Sequence, residues 1–291
     1  MNKKISLVPL LFVFLIVVLS VAFHYPVHIE NALTHQPEPG FDVTPSVIRT
    51  VFEPVLGLLL YFNKAYYAIE EFGAILVWSI AVFFICSVWL YVKKKNKATR
   101  LKFLVNQLFN LPVLVGVWFA LFVVLIFIGL PNDHIENKSN GWVLVTTHSH
   151  TNFSHDGLIS EEGLLKWHQR NGFDAFFITD HSNHGATLQF VNLRKGKEKP
   201  GEPVVFCGEE FSGSNHLSLL GLKSDFVTRG QSDSTVVAKA RAEGAAIIVN
   251  HWFDGEHKSL EYYKKLGVDG FEIENTATDK RYNRDVYHRI R

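Results

Sequence analysis

The stretch Thr147-His148-Ser149-His150-Thr151-Asn152-Phe153-Ser154-His155-Asp156-Gly157 sets three imidazoles and a carboxylate into one turn-forming segment. It follows Trp142-Val143-Leu144-Val145-Thr146, an apolar, β-branched run that reads as a buried strand. In extended chain residues i and i+2 share a face, so His148 and His150 leave the strand pointing the same way. Two imidazoles placed like this can grip one ion.

Outward from that segment the arrangement recurs. Ser160-Glu161-Glu162 opens an amphipathic run ending at Asn171-Gly172, as expected of a helix with a serine cap and a C-terminal glycine. The apolar run 175–179 delivers Asp180-His181, and 204–207 leads into Gly208-Glu209-Glu210. His216 precedes the apolar run 217–222, residues 245–249 deliver Asn250-His251, and 270–274 makes one more strand. Metal-type side chains at successive strand ends, with helical stretches between, predict an α/β barrel whose site is built by strand-end loops. Neither Cys86 nor Cys207 belongs to a thiolate motif, and no disulfide framework is present. Imidazole and carboxylate donors suit zinc, manganese or iron better than a structural zinc finger.

The strings H-x-H-T-x-x-S-x-D-G at 148–157, I-T-D-H at 178–181, G-x-E at 208–210 and V-N-H at 249–251 resemble, in order, the motifs of the PHP (polymerase and histidinol phosphatase) family. The resemblance spans residues 141–291. It implies a distorted (β/α)7 barrel, two or three divalent ions and hydrolysis of phosphoesters by a metal-bound hydroxide. It further implies that His148, His150 and Glu210 hold one ion, that Glu210 bridges to a second completed by His216 and His251, and that Asp156 and His181 hold a third. Asp180 would orient a ligand imidazole, and Glu209 is the weaker candidate for the bridging carboxylate. His184 is a candidate for phosphate binding or leaving-group protonation, with His155 and the Arg194-Lys195-Gly196-Lys197 loop; the competing reading is surface histidines and a solvated loop.

The family closes its site with a late D-x-H element that this sequence lacks. Asp285 and His288 stand three apart in a charged stretch that reads as helix. With only about six strands after Asn140, the barrel is expected to be incomplete and the chain a fragment of a longer reading frame.

The first 130 residues are a different kind of chain. Residues 5–23, 74–92 and 111–130 are uncharged apolar segments long enough to span a hydrocarbon core. The first, preceded by Lys3 and Lys4 and ending near Ser20-Val21-Ala22, reads either as a span or as a cleavable signal peptide. Basic residues stay on the cytoplasmic side. Lys3 and Lys4, and the run Lys93, Lys94, Lys95, Lys97, Arg100 and Lys102, therefore place the N-terminus and the loop between the last two spans inside. Residues 47–67 contain charges and Pro54 and read as an interfacial or re-entrant helix; a crossing there would reverse the parity. Residues 131–140 read as a linker into the metal domain, which this topology places outside the cytoplasm.

Residues 141–291 carry 18 Lys plus Arg against 20 Asp plus Glu, so no basic footprint exists for a long duplex. The sequence thus reads as a multi-pass, membrane-anchored, metal-dependent phosphoesterase for small phosphate esters or nucleotides, with the lipid bilayer as its other partner. The alternative is a catalytically impaired domain serving as a membrane-tethered sensor or binding module.

Overall fold

The computed structural model describes residues 8–23, 27–31, 34, 36–62, 68–94, 96–127, 131–252 and 258–273. The chain divides into two units, Met1–Ala22 with Val51–Pro131, and Phe23–Thr50 with Asn132–Arg291.

The apolar unit is helical because its segments are long continuous apolar runs without strand-forming alternation. It contains α1 (Val8–Ala22), most of α2 (Val47–Phe62), α3 (Ala68–Val92) and α4 (Lys97–Phe127). The stretches Phe72–Val92 and Lys97–Val124 are long and apolar enough to cross a membrane, and their most apolar windows are not buried against the described chain. At 1.5 Å per residue the second is roughly 42 Å long, against a hydrocarbon core of about 30 Å. α3 and α4 run antiparallel: Phe72 stacks on Phe122 with ring centroids 4.4 Å apart, and the Ser87 hydroxyl donates to Gln107 Oε1 at 3.3 Å. α4 starts fourteen residues before the span at 111–130, passing through Pro112 without a break. A proline mid-helix forfeits one backbone bond, and the neighbouring turns carry the helix across it. Residues 1–7 and 128–130, at the outer ends of the expected spans, lie outside the described residues.

The second unit contains two sheets. β1 (Phe41–Thr44) pairs antiparallel with β2 (His134–Asn137), Phe41 opposite Asn137 and Thr44 opposite His134. The segment 131–140, a linker by sequence, therefore holds a strand. Arg49 reinforces this junction through Asp133 at 3.3 Å.

The larger sheet contains β3 (Val145–Thr146), β4 (Ala175–Ile178), β5 (Val204–Ser212), β6 (His216–Leu220), β7 (Ala246–Val249) and β8 (Gly270–Phe271), adjacent in that order. β3, β4 and β5 are parallel, β6 is antiparallel to both its neighbours, and β8 is parallel to β7. Among the described residues this is a six-stranded, curled half-barrel and not the seven-stranded alternating barrel implied by resemblance. Only Gly213, Ser214 and Asn215 join β5 to β6, and three residues permit a hairpin but no helical crossover. The curl brings the two edge strands together: His148, just past β3, meets Glu272, just past β8, at 3.1 Å.

Helices α5 (Glu161–Asn171), α6 (Gly185–Arg194), α7 (Asp233–Ala242) and α8 (Leu260–Leu266) connect the strands. α5 buries Leu164 and Leu165 against Phe176 and Ile178 of β4. Phe211, Leu217, Leu219, Ile247, Val249, Val236 and Tyr263 form the second core. α5 begins where Ser160 Oγ accepts from Gly163 N–H and ends at Gly172, as its sequence predicts. Gly172 has φ +85°, and a Cβ there would lie 1.9 Å from the carbonyl oxygen of Ile135 in β2. Glycine is required twice over, for the left-handed cap and for this close approach. Asp174 then ties β2, β3 and β4 together by accepting from Asn137 Nδ2 at 2.8 Å and Leu144 N–H at 2.7 Å.

Gly172→Ala is expected to destabilise the second unit by roughly 1–3 kcal/mol. Thermal unfolding of the detergent-solubilised protein reads this directly, and an unchanged midpoint would show that the cap and the β2 contact do not constrain the fold.

Candidate metal centre

Successive strand residues face opposite sides, and the centre is organised by that alternation in β5. Glu210 points to the concave side and is 1% exposed; Glu209 points to the other side and is also buried. β5 runs five residues beyond the apolar run that marks it in the sequence, so Glu210 lies within a strand and not on a loop. The reason is register: Glu210 is paired with Ser218 of β6, and the hairpin extends the ladder through both acids.

Both oxygens of Glu210 are surrounded. Oε2 lies 3.0 Å from His148 Nε2, 2.9 Å from His150 Nε2 and 3.4 Å from His181 Nε2. Oε1 lies 2.9 Å from His216 Nδ1 and 3.1 Å from His251 Nε2, and accepts from Asn250 Nδ2 at 3.0 Å. His216 reaches this end of the sheet because β6 is antiparallel, so its first residue adjoins the end of β5. Asp156 lies 2.8 Å from His150 Nδ1 and 3.2 Å from His181 Nε2, and accepts from Ser154 Oγ. The structure thus brings together His148, His150, Asp156, His181, Glu210, His216 and His251. Three sets of donor atoms each gather within 4.8 Å: His148, His150 and Glu210; His150, Asp156 and His181; and His181, Glu210 and His216.

These separations fit metal coordination. His148 Nε2 and His150 Nε2 are 3.1 Å apart and each is about 3 Å from Glu210 Oε2. Donors around one tetrahedral zinc at 2.0–2.1 Å stand about 3.3 Å from one another.

Two other assignments are corrected. His184 is not at the centre: it is buried behind β5, its Nδ1 paired with Glu209 Oε2 and its Nε2 near the Ser224 carbonyl and the Phe226 N–H. The alternation that aims Glu210 inward aims Glu209, and with it His184, outward. Asp180 takes its hydrogen bonds from the Thr151 N–H and hydroxyl, each at 2.6 Å, and not from an imidazole. It braces the 148–157 loop against the end of β4. His155 is exposed, with its ring 4.7 Å from that of His181. In the 194–197 loop, Arg194 is engaged by Glu202 at 2.6 Å and Glu162 at 3.3 Å. Cys207 is buried, which pushes its thiol up to about 12 and leaves it inert as a thiolate donor.

Asn250, Ser154, Thr151 and Glu272 complete the surroundings and were not assigned roles from sequence. Glu272 does sit at the end of an apolar strand, the same position that marks the other acids. Asp285 and His288 lie outside the described residues.

Electrostatics follow from packing. Burial would raise the Glu210 carboxyl, but bonds with His148, His150, His216 and His251 outweigh it and hold it far below the usual carboxylate range. Asp156 is likewise held low, by His150 and His181 against its burial. Burial would lower His148 and His150; Glu210 and Glu272 instead raise the first to about 10, and Asp156 and Glu210 raise the second to about 9.

Comparison of the sequence with protein-family descriptions and with curated proteins found no match. Among solved structures, a candidate metal-dependent phosphoesterase from Bifidobacterium adolescentis superposes over 50% of this chain and 82% of its own, at 14% identity and a TM-score of 0.40. A two-domain protein from Bacteroides vulgatus containing a predicted PHP-like metal-dependent phosphoesterase covers 45% of this chain and 44% of its own, at 22% identity and a TM-score of 0.37. Overlap this loose transfers neither fold nor chemistry, so the centre's own geometry carries the functional reading.

Ion binding needs the Nε2 lone pairs of His148 and His150, which are protonated at neutral pH in the ion-free protein. Zn2+ uptake at pH 7 should therefore release protons, and affinity should rise with pH until about 9 to 10. Calorimetry in buffers of different ionisation heat checks this; uptake without proton release would place the ion elsewhere. In the ion-free fold, the raised histidines contribute stability present below their ordinary 6.5 and lost as pH climbs through about 9 to 10. The depressed Asp156 and Glu210 contribute stability that is lost in acid.

Proposed function

We propose that this chain is a membrane-anchored, metal-dependent phosphoesterase acting on small phosphate esters or nucleotides outside the cytoplasm. The observation that carries the reading is Glu210, a buried carboxylate with imidazoles on both oxygens and Asp156 one imidazole away. Divalent ions held there would supply a water of lowered pKa and neutralise charge on a phosphoryl group.

The chain's own residues supply the rest. His148, His150 and Glu210 would hold one ion, Glu210, His216 and His251 a second, and Asp156, His181 and His150 a third. Asn250 fixes Glu210 from the side and Ser154 fixes Asp156. The His216 side chain, 37% exposed, is the most open of the donors around Glu210, which supports approach of a small ester from that side. Of the two histidines considered for leaving-group protonation, His155 is the one beside the donor cluster. Zn, Mn and Fe all suit this donor set.

The location is supported by charge and by strand pairing. The basic residues around Lys93–Lys102 favour a cytoplasmic turn between α3 and α4. β1 precedes α2, and β2 follows α4, yet the two strands share one ladder and so occupy the same side. An even number of crossings between them is consistent with α3 and α4 spanning and α2 lying at the interface. With that parity the metal domain after β2 is on the non-cytoplasmic side.

Metal-loaded protein should hydrolyse members of a panel of p-nitrophenyl phosphate, sugar phosphates and nucleotides. His150→Ala, which removes a donor shared by two sets, should lower turnover by more than about 100-fold, since outer partners alone are worth 10–100-fold. Metal retention with no turnover across the panel would sink the enzymatic reading and favour the sensor.

For topology, Asp42→Cys and Glu198→Cys should both react with a membrane-impermeant maleimide on intact cells, and Lys97→Cys only after lysis. The reverse pattern would put the metal domain in the cytoplasm.

A further inference from the structure

Glu272 belongs to none of the donor sets, yet it touches His148, a member of one of them, and His251, which lies against Glu210 Oε1. Its Oε1 lies 3.1 Å from His148 Nδ1, on the side of the ring away from Glu210, and its Oε2 accepts from the backbone N–H of His251 at 2.9 Å. Its own backbone is fixed by the sheet, the Glu272 N–H donating to the Val249 carbonyl at 2.8 Å. One side chain just past β8 therefore reaches the histidine that follows β3 and the histidine that follows β7 together.

Each contact has a definite consequence. An ionised carboxylate only accepts, so a neutral His148 facing it must carry its proton on Nδ1. A His148 that has given up its second proton then has its Nε2 lone pair free on the side shared with His150 Nε2 and Glu210 Oε2, 3.1 and 3.0 Å away. The other tautomer would aim an N–H at the ion. His251 has φ +27°, a left-handed conformation that a residue with a side chain rarely adopts. The bond to Glu272 holds that turn, in which His251 Nε2 lies 3.1 Å from Glu210 Oε1.

We infer that Glu272 is a positioning residue that orients a donor on each side of Glu210, His148 by its tautomer and His251 by its backbone. The inference rests on the metal-centre reading above. It also gives a physical role to the curl of the sheet, because the β3 and β8 edges must close to within side-chain reach for one carboxylate to serve both.

The test compares full-length, solubilised wild type with Glu272→Gln and Glu272→Ala by Co2+ titration, following both affinity and the visible absorption of the bound ion. Glutamine keeps shape but has one acceptor oxygen, so it can satisfy His148 or His251 but not both. Both variants should bind Co2+ about 10–100-fold more weakly, with an altered absorption band, and Glu272→Gln should do so with an unfolding midpoint close to wild type. Unchanged affinity and spectrum in a folded Glu272→Gln, with wild type binding normally, would overturn the positioning role and leave the metal centre standing. Failure of wild type itself to bind Co2+ would overturn both. If Glu272→Ala does not fold, the glutamine variant alone decides.

Discussion

A carboxylate with almost no access to water cannot stay ionised unless its surroundings replace hydration, and Glu210 is such a group. Around it the ends of β3, β4, β6 and β7 each contribute a nitrogen donor. The sheet must be curled, β5 and β6 must form a hairpin, and β7 must end in a left-handed turn, because each brings a polar group to one of two oxygens. Removing any one leaves the others facing an under-neutralised charge. Much of the concave side is thus specified by polar satisfaction, while the hydrophobic clusters on the outer face hold the helices on.

Local pattern made part of this legible. His148 and His150 share a face whatever the tertiary structure, and the capped helix ending at Gly172 is written in its terminal residues. In the sequence the choice of Glu210 over Glu209 came from family spacing alone; the alternation along β5 is the physical reason, and only the structure shows it. The sequence could not show where the strand stops. By treating 208–210 as a loop it concealed that Glu209 and His184 pair behind the sheet, and a histidine three residues after His181 then looked like part of the same site. Asp180 misled for a related reason. A carboxylate next to a metal-type histidine suggests a partner for the ring, whereas its bonds go to Thr151, 29 residues earlier. Glu272 was least legible, since its role exists only when the two sheet edges meet.

In the apolar half, composition located α3 from residue 74 on, where it is uncharged, and missed its first turns, which contain Glu70 and Glu71. It shortened α4, whose first turns contain Lys97, Arg100, Lys102, Asn106 and Gln107. Those residues belong to the same continuous helix, so polarity marked a change of surroundings along the helix and not its end.

The β1–β2 ladder also dictates an order of assembly. Thr44 hydrogen-bonds to Glu136, 92 residues later in the chain, so β1 is made long before its partner exists. α2, α3 and α4 all intervene, and the α3–α4 contacts are available earlier and at shorter separation. Closing a loop this long carries an entropic cost that grows only slowly with length, so the distance delays the ladder more than it weakens it. β1 is therefore a latch. It leaves a short strand edge waiting while the helical hairpin is made, and its capture by β2, which is itself seated against Gly172 at the end of α5, completes the small sheet of the second unit.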